Sequence, residues 1–326
     1  MATAVQARRA PGQTASAAGP FASRRRRQAL LALGLLAPWI VGFFGLFLYP
    51  IGISLYYSFT NYDILQPPQW IGFLNYAYMV HDPVFWQAFY NTAYMTVLGV
   101  PLSLALGLGL ALMVNARVRG VSAYRAIFYL PTIVPTVAVT IIWMWIFNPD
   151  YGLLNGLLGL LHLPTPGWLS DPGWSKPALL IMVLWGTVGQ TMVVYLAGLQ
   201  NVSPELMEAA MLDGAGGWAR LRAVVLPALG PVTFYSAVTG VISFLQLFTQ
   251  AFVATSAGGA GGAGDLGAPV HSTLLYSLYL YQNAFQFGHM GYASAMAWVL
   301  FAIIFLLTVA LFGLGKDLVR GEGGTA

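Results

Sequence analysis

Cysteine and charge are what this chain of 326 residues lacks. It contains no cysteine, which excludes disulfides, thiolate metal sites and cysteine nucleophiles. Only 7% of its residues are charged, whereas a soluble domain carries about 25%, so the chain cannot cover a surface that faces water. The hydrophobic content of 58% instead indicates a protein that lies in a lipid bilayer.

Motifs of several enzyme classes are absent as well. The sequence contains neither HExxH nor GxSxG, and its four histidines fall outside the apolar stretches, so a membrane hydrolase is disfavoured. The phosphate-binding pattern GxxxxGK[ST] is also missing, so any ATP that drives this protein is hydrolysed on a partner. We therefore expect a chain without catalytic residues, and without a metal or cofactor of its own.

Long windows without a charged residue follow one another along the chain. A helix that crosses about 30 Å of hydrocarbon needs roughly 20 apolar residues, and six windows are long enough. These apolar runs are continuous and do not alternate, which favours helices over a β-barrel. The sequence predicts an all-α integral membrane fold with six transmembrane helices, near residues 29–53, 91–114, 126–147, 178–199, 228–254 and 292–314.

The basic residues predict the orientation of these spans. With the N-terminus in the cytoplasm, all of the 14 Lys and Arg residues except Lys176 fall on the cytoplasmic side, where such residues collect. Both termini are therefore expected to be cytoplasmic. We expect a disordered basic tail over 1–28, a six-span permease domain over 29–315 and a cytoplasmic C-terminal tail over 316–326.

The loop between the fourth and fifth spans carries signals for a short helix. Ser203 is a good N-cap, Pro204 suits the first helical position, and Gly214 can end the helix in a left-handed conformation. A second short helix is expected to begin near Trp218 and to break at Pro227. The small side chains on the first helix would let a partner's backbone approach closely.

This loop resembles the EAA signature of binding-protein-dependent ABC importer permeases. The resemblance lies in Glu208-Ala209-Ala210, then Asp213-Gly214-Ala215, then Leu226-Pro227. Other stretches are similar to the sugar branch of that family, the maltose and glycerol-phosphate type, among them Asn148-Pro149-Asp150-Tyr151-Gly152. The chain departs from the family in the predicted external segment between the fifth and sixth spans, near residues 255–291, where it has a Gly/Ala-rich run at 258–264.

The resemblance implies a function and a set of partners. The loop 200–227 would be the cytoplasmic coupling helix, held in a groove of the ATP-binding subunit. The partners would be a dimer of ATP-binding subunits carrying ATP and magnesium, a second paralogous permease, an extracytoplasmic solute-binding protein and the lipid bilayer, but no nucleic acid. The protein would be located in the cytoplasmic membrane of a bacterium or an archaeon. The implied docking residues are Glu208, Ala209, Ala210, Asp213, Gly214 and Ala215.

Polar residues inside the predicted spans suggest a path for an uncharged, polyhydroxylated solute. Thr239, Ser243, Gln246 and Gln250 follow one another at spacings of three and four, which predicts one face of the fifth helix. Further candidates for the substrate path are Trp143 in the third span and Gln190 in the fourth. Alternatively, the Ser and Thr side chains join helices to one another or bond their own backbone.

The competing function is an ion-coupled secondary carrier for a neutral solute. Such a carrier usually has a buried ion site and inverted repeats, and no carboxylate falls in the middle of a predicted span. The ATP-driven importer permease, passing a sugar or sugar-like solute by alternating access, is therefore the preferred interpretation. The solute itself is not specified by the sequence.

Overall fold

The computed structural model describes residues 20–116, 120–256 and 266–315. Most of the predicted N-terminal tail, the Gly/Ala-rich run 258–264 and the tail 316–326 lie outside these described residues. The chain divides into two compact units, Met1–Ser54 and Leu55–Ala326.

The first unit is formed by consecutive helices. Helix α1 (Pro20–Gly42) begins inside the segment that the sequence predicts as a tail, and it continues through a π-helical stretch, Phe43–Leu48, into α2 (Tyr49–Ser58). Leu31–Ser58 forms a candidate membrane span of 28 residues. Its apolar side chains are exposed, Leu35 at 83%, because nothing in this unit covers them and a bilayer would.

The second unit begins with the last four residues of α2 and continues with two short antiparallel strands, β1 (Thr60–Asn61) and β2 (Gln69–Trp70), in which Thr60 pairs with Trp70. Helices make up most of the remainder. In chain order they are α3 (Leu74–His81), α4 (Pro83–Asn115), α5 (Val121–Ile133), α6 (Thr136–Ile146), α7 (Leu153–Leu160), α8 (Pro172–Gln200), α9 (Pro204–Leu212), α10 (Gly217–Arg220), a π-helical turn (Leu221–Val225), α11 (Leu226–Ala228), α12 (Gly230–Leu245), α13 (Thr249–Ser256), α14 (Tyr276–Tyr281), a π-helical turn (Gln282–Gln286) and α15 (Met290–Leu314).

Five segments of the described chain are long and apolar enough to cross a membrane, and a bent pair of helices makes six if it counts as one span. The five are Leu31–Ser58, Pro83–Asn115, Pro172–Gln200, Gly230–Ser256 and Met290–Leu314. Each overlaps a predicted span, so the membrane fold is confirmed at this level.

The third predicted span, 126–147, is not a single helix. Helices α5 and α6 meet at an angle of 99°. Pro135 accounts for the break, because it disfavours the helical conformation at the preceding residue, and Val134 has an extended backbone with φ −72° and ψ 135°. The prediction of one continuous helix over 126–147 is wrong here because it ignored this proline, while the pair can still count as one span.

The fifth predicted span is also interrupted. Helix α12 ends at Leu245, and α13 begins at Thr249 after a short non-helical stretch. The two helices together still pass as one candidate span, Gly230–Ser256, so the span is present while its helix is discontinuous.

Helix α8 is the centre of the second unit and packs along α4, with α5 and α12 beside them. The backbones of α4 and α8 approach closely at Gly107, where a Cβ atom would lie 2.5 Å from Cγ2 of Thr191. A Cβ atom on Gly99 would likewise overlap the ring of Phe244 in α12. Small residues thus bring three helices together along one line of α4.

A buried carboxylate joins α4 to α14 and α15. Asp82, only 5% exposed, caps α4 by accepting a hydrogen bond from the Val84 amide at 2.9 Å. Its other oxygen accepts hydrogen bonds from the hydroxyls of Tyr279, at 2.6 Å, and Tyr292, at 2.9 Å. Burial, with a smaller contribution from the bond to Asp82, raises the pKa of Tyr279 above its ordinary value. Tyr279 therefore stays protonated and remains a donor.

Candidate functional site

The interspan loop, defined as residues 200–227, begins with the helix that the sequence predicts. Helix α9 starts at Pro204, with Ser203 in the N-cap position and Glu205 in the first turn, where the helix dipole favours an anion. The Ser203 side chain makes no capping hydrogen bond, so its contribution comes from its non-helical backbone, with φ −58° and ψ 124°.

Gly214 ends α9 as predicted. Its φ of +76° is the left-handed conformation that an L side chain rarely adopts. The Ala215 amide donates to the Ala210 carbonyl at 2.9 Å, and the Gly214 amide donates to the Met211 carbonyl at 3.1 Å. This pair of bonds is a Schellman motif, which satisfies carbonyls that the helix end would otherwise leave without donors.

The second half of the loop differs from the prediction. The chain stays helical from Gly217 to Ala228 and turns only at Leu229, so the predicted break at Pro227 is wrong. The turn before the proline is a π-helix, in which the Leu226 amide donates to the Leu221 carbonyl. This wider turn accommodates the missing amide of Pro227 without ending the helix.

The residues of the docking prediction are accessible. Glu208, Ala209, Asp213 and Gly214 are exposed, while Ala210 and Ala215 are half-buried. Large apolar side chains are exposed on the same loop, Leu212 at 90% and Trp218 at 73%. The list of predicted docking residues omitted both, although an apolar residue in a loop of this kind is a sequence signal.

Met207 points the other way and supports α9 from within. It packs against a buried cluster that includes Met192, Leu196 and Leu199 of α8 and Leu229 at the start of α12. The interspan loop is therefore in contact with the helices behind it while its outer surface is open.

A cavity of about 210 Å³ lies between α4, α8 and α12. Its walls carry hydroxyl and amide groups, together with apolar side chains such as Val100 and Phe244, and no charged residue lines it. The main polar lining residues are Ser103, Thr187, Gln190, Thr191, Thr239 and Ser243. Three of the predicted path residues, Gln190, Thr239 and Ser243, are thus brought together.

The other predicted path residues lie elsewhere. Gln250 lines a second cavity, of about 90 Å³, at the bend between α5 and α6. Gln246 follows the last residue of α12 and lines neither cavity, and Trp143 packs against Phe147 with ring centroids 5.0 Å apart. The prediction that the four residues from Thr239 to Gln250 share one helix face is therefore wrong, because α12 ends before the glutamines.

Thr187 lines both cavities, and together with Ser103 it was missed by the prediction. Gln190 and Thr191 follow Thr187 by three and four residues, so the three side chains share a face of α8. The spacing rule applied to the fifth span would have found Thr187 in the fourth.

The hydroxyls of this cavity are partly engaged by their own helices. Thr187 donates to the Val183 carbonyl at 3.0 Å and Thr239 to the Tyr235 carbonyl at 2.9 Å, as the helix-packing alternative expects. Ser103 and Thr191 share a hydrogen bond of 3.2 Å between α4 and α8. Hydroxyl oxygens that donate in this way can still accept hydrogen bonds, so the wall suits a ligand with many hydroxyl donors.

The described residues contain no group of three or more His, Asp or Glu side chains that could hold a metal ion. The residues that line the larger cavity offer hydrogen-bonding groups and apolar contact.

Residues 99–320 match the family described as binding-protein-dependent transport system inner membrane component. The chain belongs to this family. The permease is 39% identical over 290 residues to the probable ABC transporter permease protein YesP of Bacillus subtilis, with 88% of this chain and 91% of that protein covered. It is 33% identical over 281 residues to the sulfoquinovosyl glycerol transport system permease protein SmoG of Agrobacterium fabrum, with 86% and 88% covered.

The fold of the permease is similar to a chain in the crystal structure of a bacterial alginate ABC transporter in complex with an alginate pentasaccharide-bound periplasmic protein. The TM-score is 0.78 at 23% identity, with 91% of this chain and 98% of that chain covered. The permease is accordingly an importer subunit, a transport component and not an enzyme. The ion-coupled carrier is not favoured.

Proposed function

We propose that this permease forms one half of an ATP-driven pathway that passes a neutral sugar across the cytoplasmic membrane. The observation that carries the proposal is the uncharged cavity between α4, α8 and α12, whose walls offer hydroxyl and amide groups. A polyhydroxylated solute is matched by such groups and needs no ion pair. The lactose transport system permease protein LacF of Rhizobium radiobacter, 34% identical to this chain over 274 residues, is named for a neutral sugar and supports a sugar as the class of substrate.

The path that we propose follows α8. It contains Gln190, Thr239 and Ser243 in the larger cavity, and continues past Thr187 to Gln250 in the smaller one. The larger cavity, about 210 Å³, is smaller than the roughly 300–1,000 Å³ usual for small-molecule sites. This difference supports a second, paralogous permease chain that supplies the facing wall.

We further propose that the interspan loop is the cytoplasmic coupling helix, with both termini of the chain in the cytoplasm. Its exposed Glu208, Leu212 and Trp218 would contact an ATP-binding subunit, which binds ATP and magnesium. A solute-binding protein would deliver the sugar at the opposite face.

Two connections lead from this loop to the proposed path. Met207 contacts the cluster around α8, and the helical segment from Gly217 to Ala228 leads into α12. A displacement of α9 would therefore move two walls of the cavity. ATP binding by the partner would shift the population between inward-facing and outward-facing states in this way.

The path is tested by uptake of labelled sugars into proteoliposomes that contain the complete transporter. Gln190→Leu removes an amide from the cavity wall and is expected to reduce uptake by about 5- to 150-fold, since an unsatisfied sugar hydroxyl costs about 1–3 kcal/mol. Gln246→Leu is the matched control, because this exposed amide lies outside both cavities. Equal uptake by the two variants would contradict the proposed path.

The docking of the ATPase is tested by comparing two exposed glutamates of α9. Glu208→Ala is expected to lose both ATP-dependent uptake and co-purification of the ATP-binding subunit, whereas Glu205→Ala is expected to keep both. Membrane insertion is checked in each variant by protease protection. Uptake by Glu208→Ala that persists without ATP and collapses with an ionophore would instead support the ion-coupled carrier.

A further inference from the structure

Helix α7 has no polar face. Its residues Leu154 and Leu158 pack against the core, and its opposite side presents Leu153 at 66% exposure, Leu157 at 51% and Leu160 at 78%. A helix at a water-facing surface carries polar side chains on its outer side, and one that is apolar all round is buried in protein or in lipid. The outer side of α7 is therefore expected to contact lipid or protein and not water.

Hydrogen bonds of a buried side chain fix which side of α7 faces the protein core. Asn155, 6% exposed, accepts a hydrogen bond from Nε1 of Trp168 at 2.8 Å. Its amide nitrogen donates to the carbonyls of Pro149 and Pro166, at 3.3 and 3.1 Å. These bonds hold the leucines of the outer face away from the protein.

The segment around α7 is free of charge. No Lys, Arg, Asp or Glu occurs from Tyr151 to Ser170, and aspartates stand on either side at positions 150 and 171. Exposed aromatic side chains that carry a polar atom precede the helix, Trp145 at 66% and Tyr151 at 74%. Such residues concentrate where a bilayer meets water.

We propose that α7 is an interfacial helix, which lies in the plane of the bilayer surface with Leu153, Leu157 and Leu160 among the lipid acyl chains. Eight residues span only about 12 Å, too short to cross the membrane. The face is purely aliphatic, whereas protein interfaces are enriched in aromatic residues, Met and Arg and carry a polar rim. The preceding helix, α6, also presents an exposed aliphatic side chain, Ile142 at 48%.

The absence of cysteine from the chain allows a direct test. Single-cysteine variants Leu157→Cys and Leu160→Cys place a thiol on the outer face of α7, and Asp150→Cys and Ser170→Cys place one at exposed positions on either side of the helix. Each complete transporter is reconstituted in lipid nanodiscs and treated with a membrane-impermeant maleimide. In parallel, each thiol carries a fluorophore whose quenching by lipids with a nitroxide on the acyl chain is measured.

The two leucine positions are expected to react with the maleimide at least an order of magnitude more slowly than the two controls, and to be quenched strongly by the nitroxide lipids. Rapid labelling at both leucine positions, without quenching, would overturn the proposal in favour of water. Slow labelling without quenching would overturn it in favour of a protein partner on this face. Testing two positions guards against one variant that fails to assemble.

Discussion

Gly214→Ala isolates the backbone contribution of one turn in the interspan loop. No atom lies within 4 Å of the Cβ position, so the substitution adds no steric contact, and its effect comes from the φ of +76°. A left-handed conformation costs an L residue about 1–2 kcal/mol. Because alanine also restricts the unfolded chain, which offsets roughly 0.4–1 kcal/mol, the net loss is expected to be about 1 kcal/mol.

This loss should appear as local opening of the end of α9. A free-energy change of about 1 kcal/mol corresponds to a roughly fivefold change in an opening equilibrium. Hydrogen exchange of the peptide that contains residues 208–216, measured by mass spectrometry, should therefore accelerate by that factor in Gly214→Ala. The affected amides are those of Gly214 and Ala215, which close the Schellman motif.

The matched control is Gly216→Ala, two residues away. Gly216 also has nothing within 4 Å of its Cβ position, but its φ is −66°, which alanine adopts without strain. Exchange in this variant should remain at the level of the unsubstituted protein. Equal acceleration in the two variants, or none in either, would refute the assignment of the strain to the left-handed turn.

Three further substitutions probe the packing of the second unit, each read by thermal denaturation of the purified permease. Gly107→Ala is expected to destabilise the fold by about 1–3 kcal/mol, because its Cβ atom overpacks against α8. Gly109→Ala is the control, since the space around its Cβ position is open, and it should leave the stability unchanged. Equal midpoints of thermal denaturation for the two variants would contradict the close approach of α4 and α8. Asp82→Asn should lower the stability by about 1.5–3 kcal/mol, since the buried carboxylate accepts hydrogen bonds from two tyrosine hydroxyls. The matched control is Asp171→Asn at the exposed N-cap of α8, which should lower the stability little. A small effect of both substitutions would contradict the role of the buried charge. Because burial raises the folded-state pKa of Tyr279, the stability that its protonated hydroxyl contributes is complete below pH 10.0 and is lost as the pH rises above that value. Tyr279→Phe should therefore make the stability of the permease fall less steeply with pH. An unchanged slope of stability against pH would contradict this contribution of Tyr279.

The sequence predicted the membrane fold well, because a span is specified by local composition. A charge-free run of about 20 apolar residues has few alternatives in structure, so the five long candidate spans overlap predicted ones. Helix α9 was equally accessible, since Pro204 and Gly214 act within a few residues of their own positions.

The errors came from treating each span as one continuous helix. Pro135 was visible in the sequence, and its effect on Val134 is local, so the bend between α5 and α6 could have been predicted. The end of α12 at Leu245 carries no comparable signal, since the following residues are ordinary for a membrane helix. Thr239 and Ser243, before that end, therefore line one cavity, whereas Gln250, beyond it, lines another.

Contacts between distant parts of the chain were inaccessible to this kind of reasoning. Asp82 was counted only as a charge in a segment between spans, whereas the structure buries it against Tyr279 and Tyr292. Neither tyrosine differs in its local sequence from the many other aromatic residues. Only the packing of α4, α14 and α15 determines which hydroxyls reach the carboxylate.

The position of this carboxylate along the chain has a consequence for biosynthesis. The partners of Asp82 follow it by 197 and 210 residues. At about 5–20 residues per second, a ribosome needs roughly 10–40 s to synthesise the intervening chain. During that interval α4 can enter the membrane, but the charge at its N-cap lacks Tyr279 and Tyr292 as donors and must stay hydrated. The contact of α4 with α14 and α15 is thus among the last to form, and a chain released before Tyr279 would display an unpartnered aspartate to the quality-control proteases of the membrane.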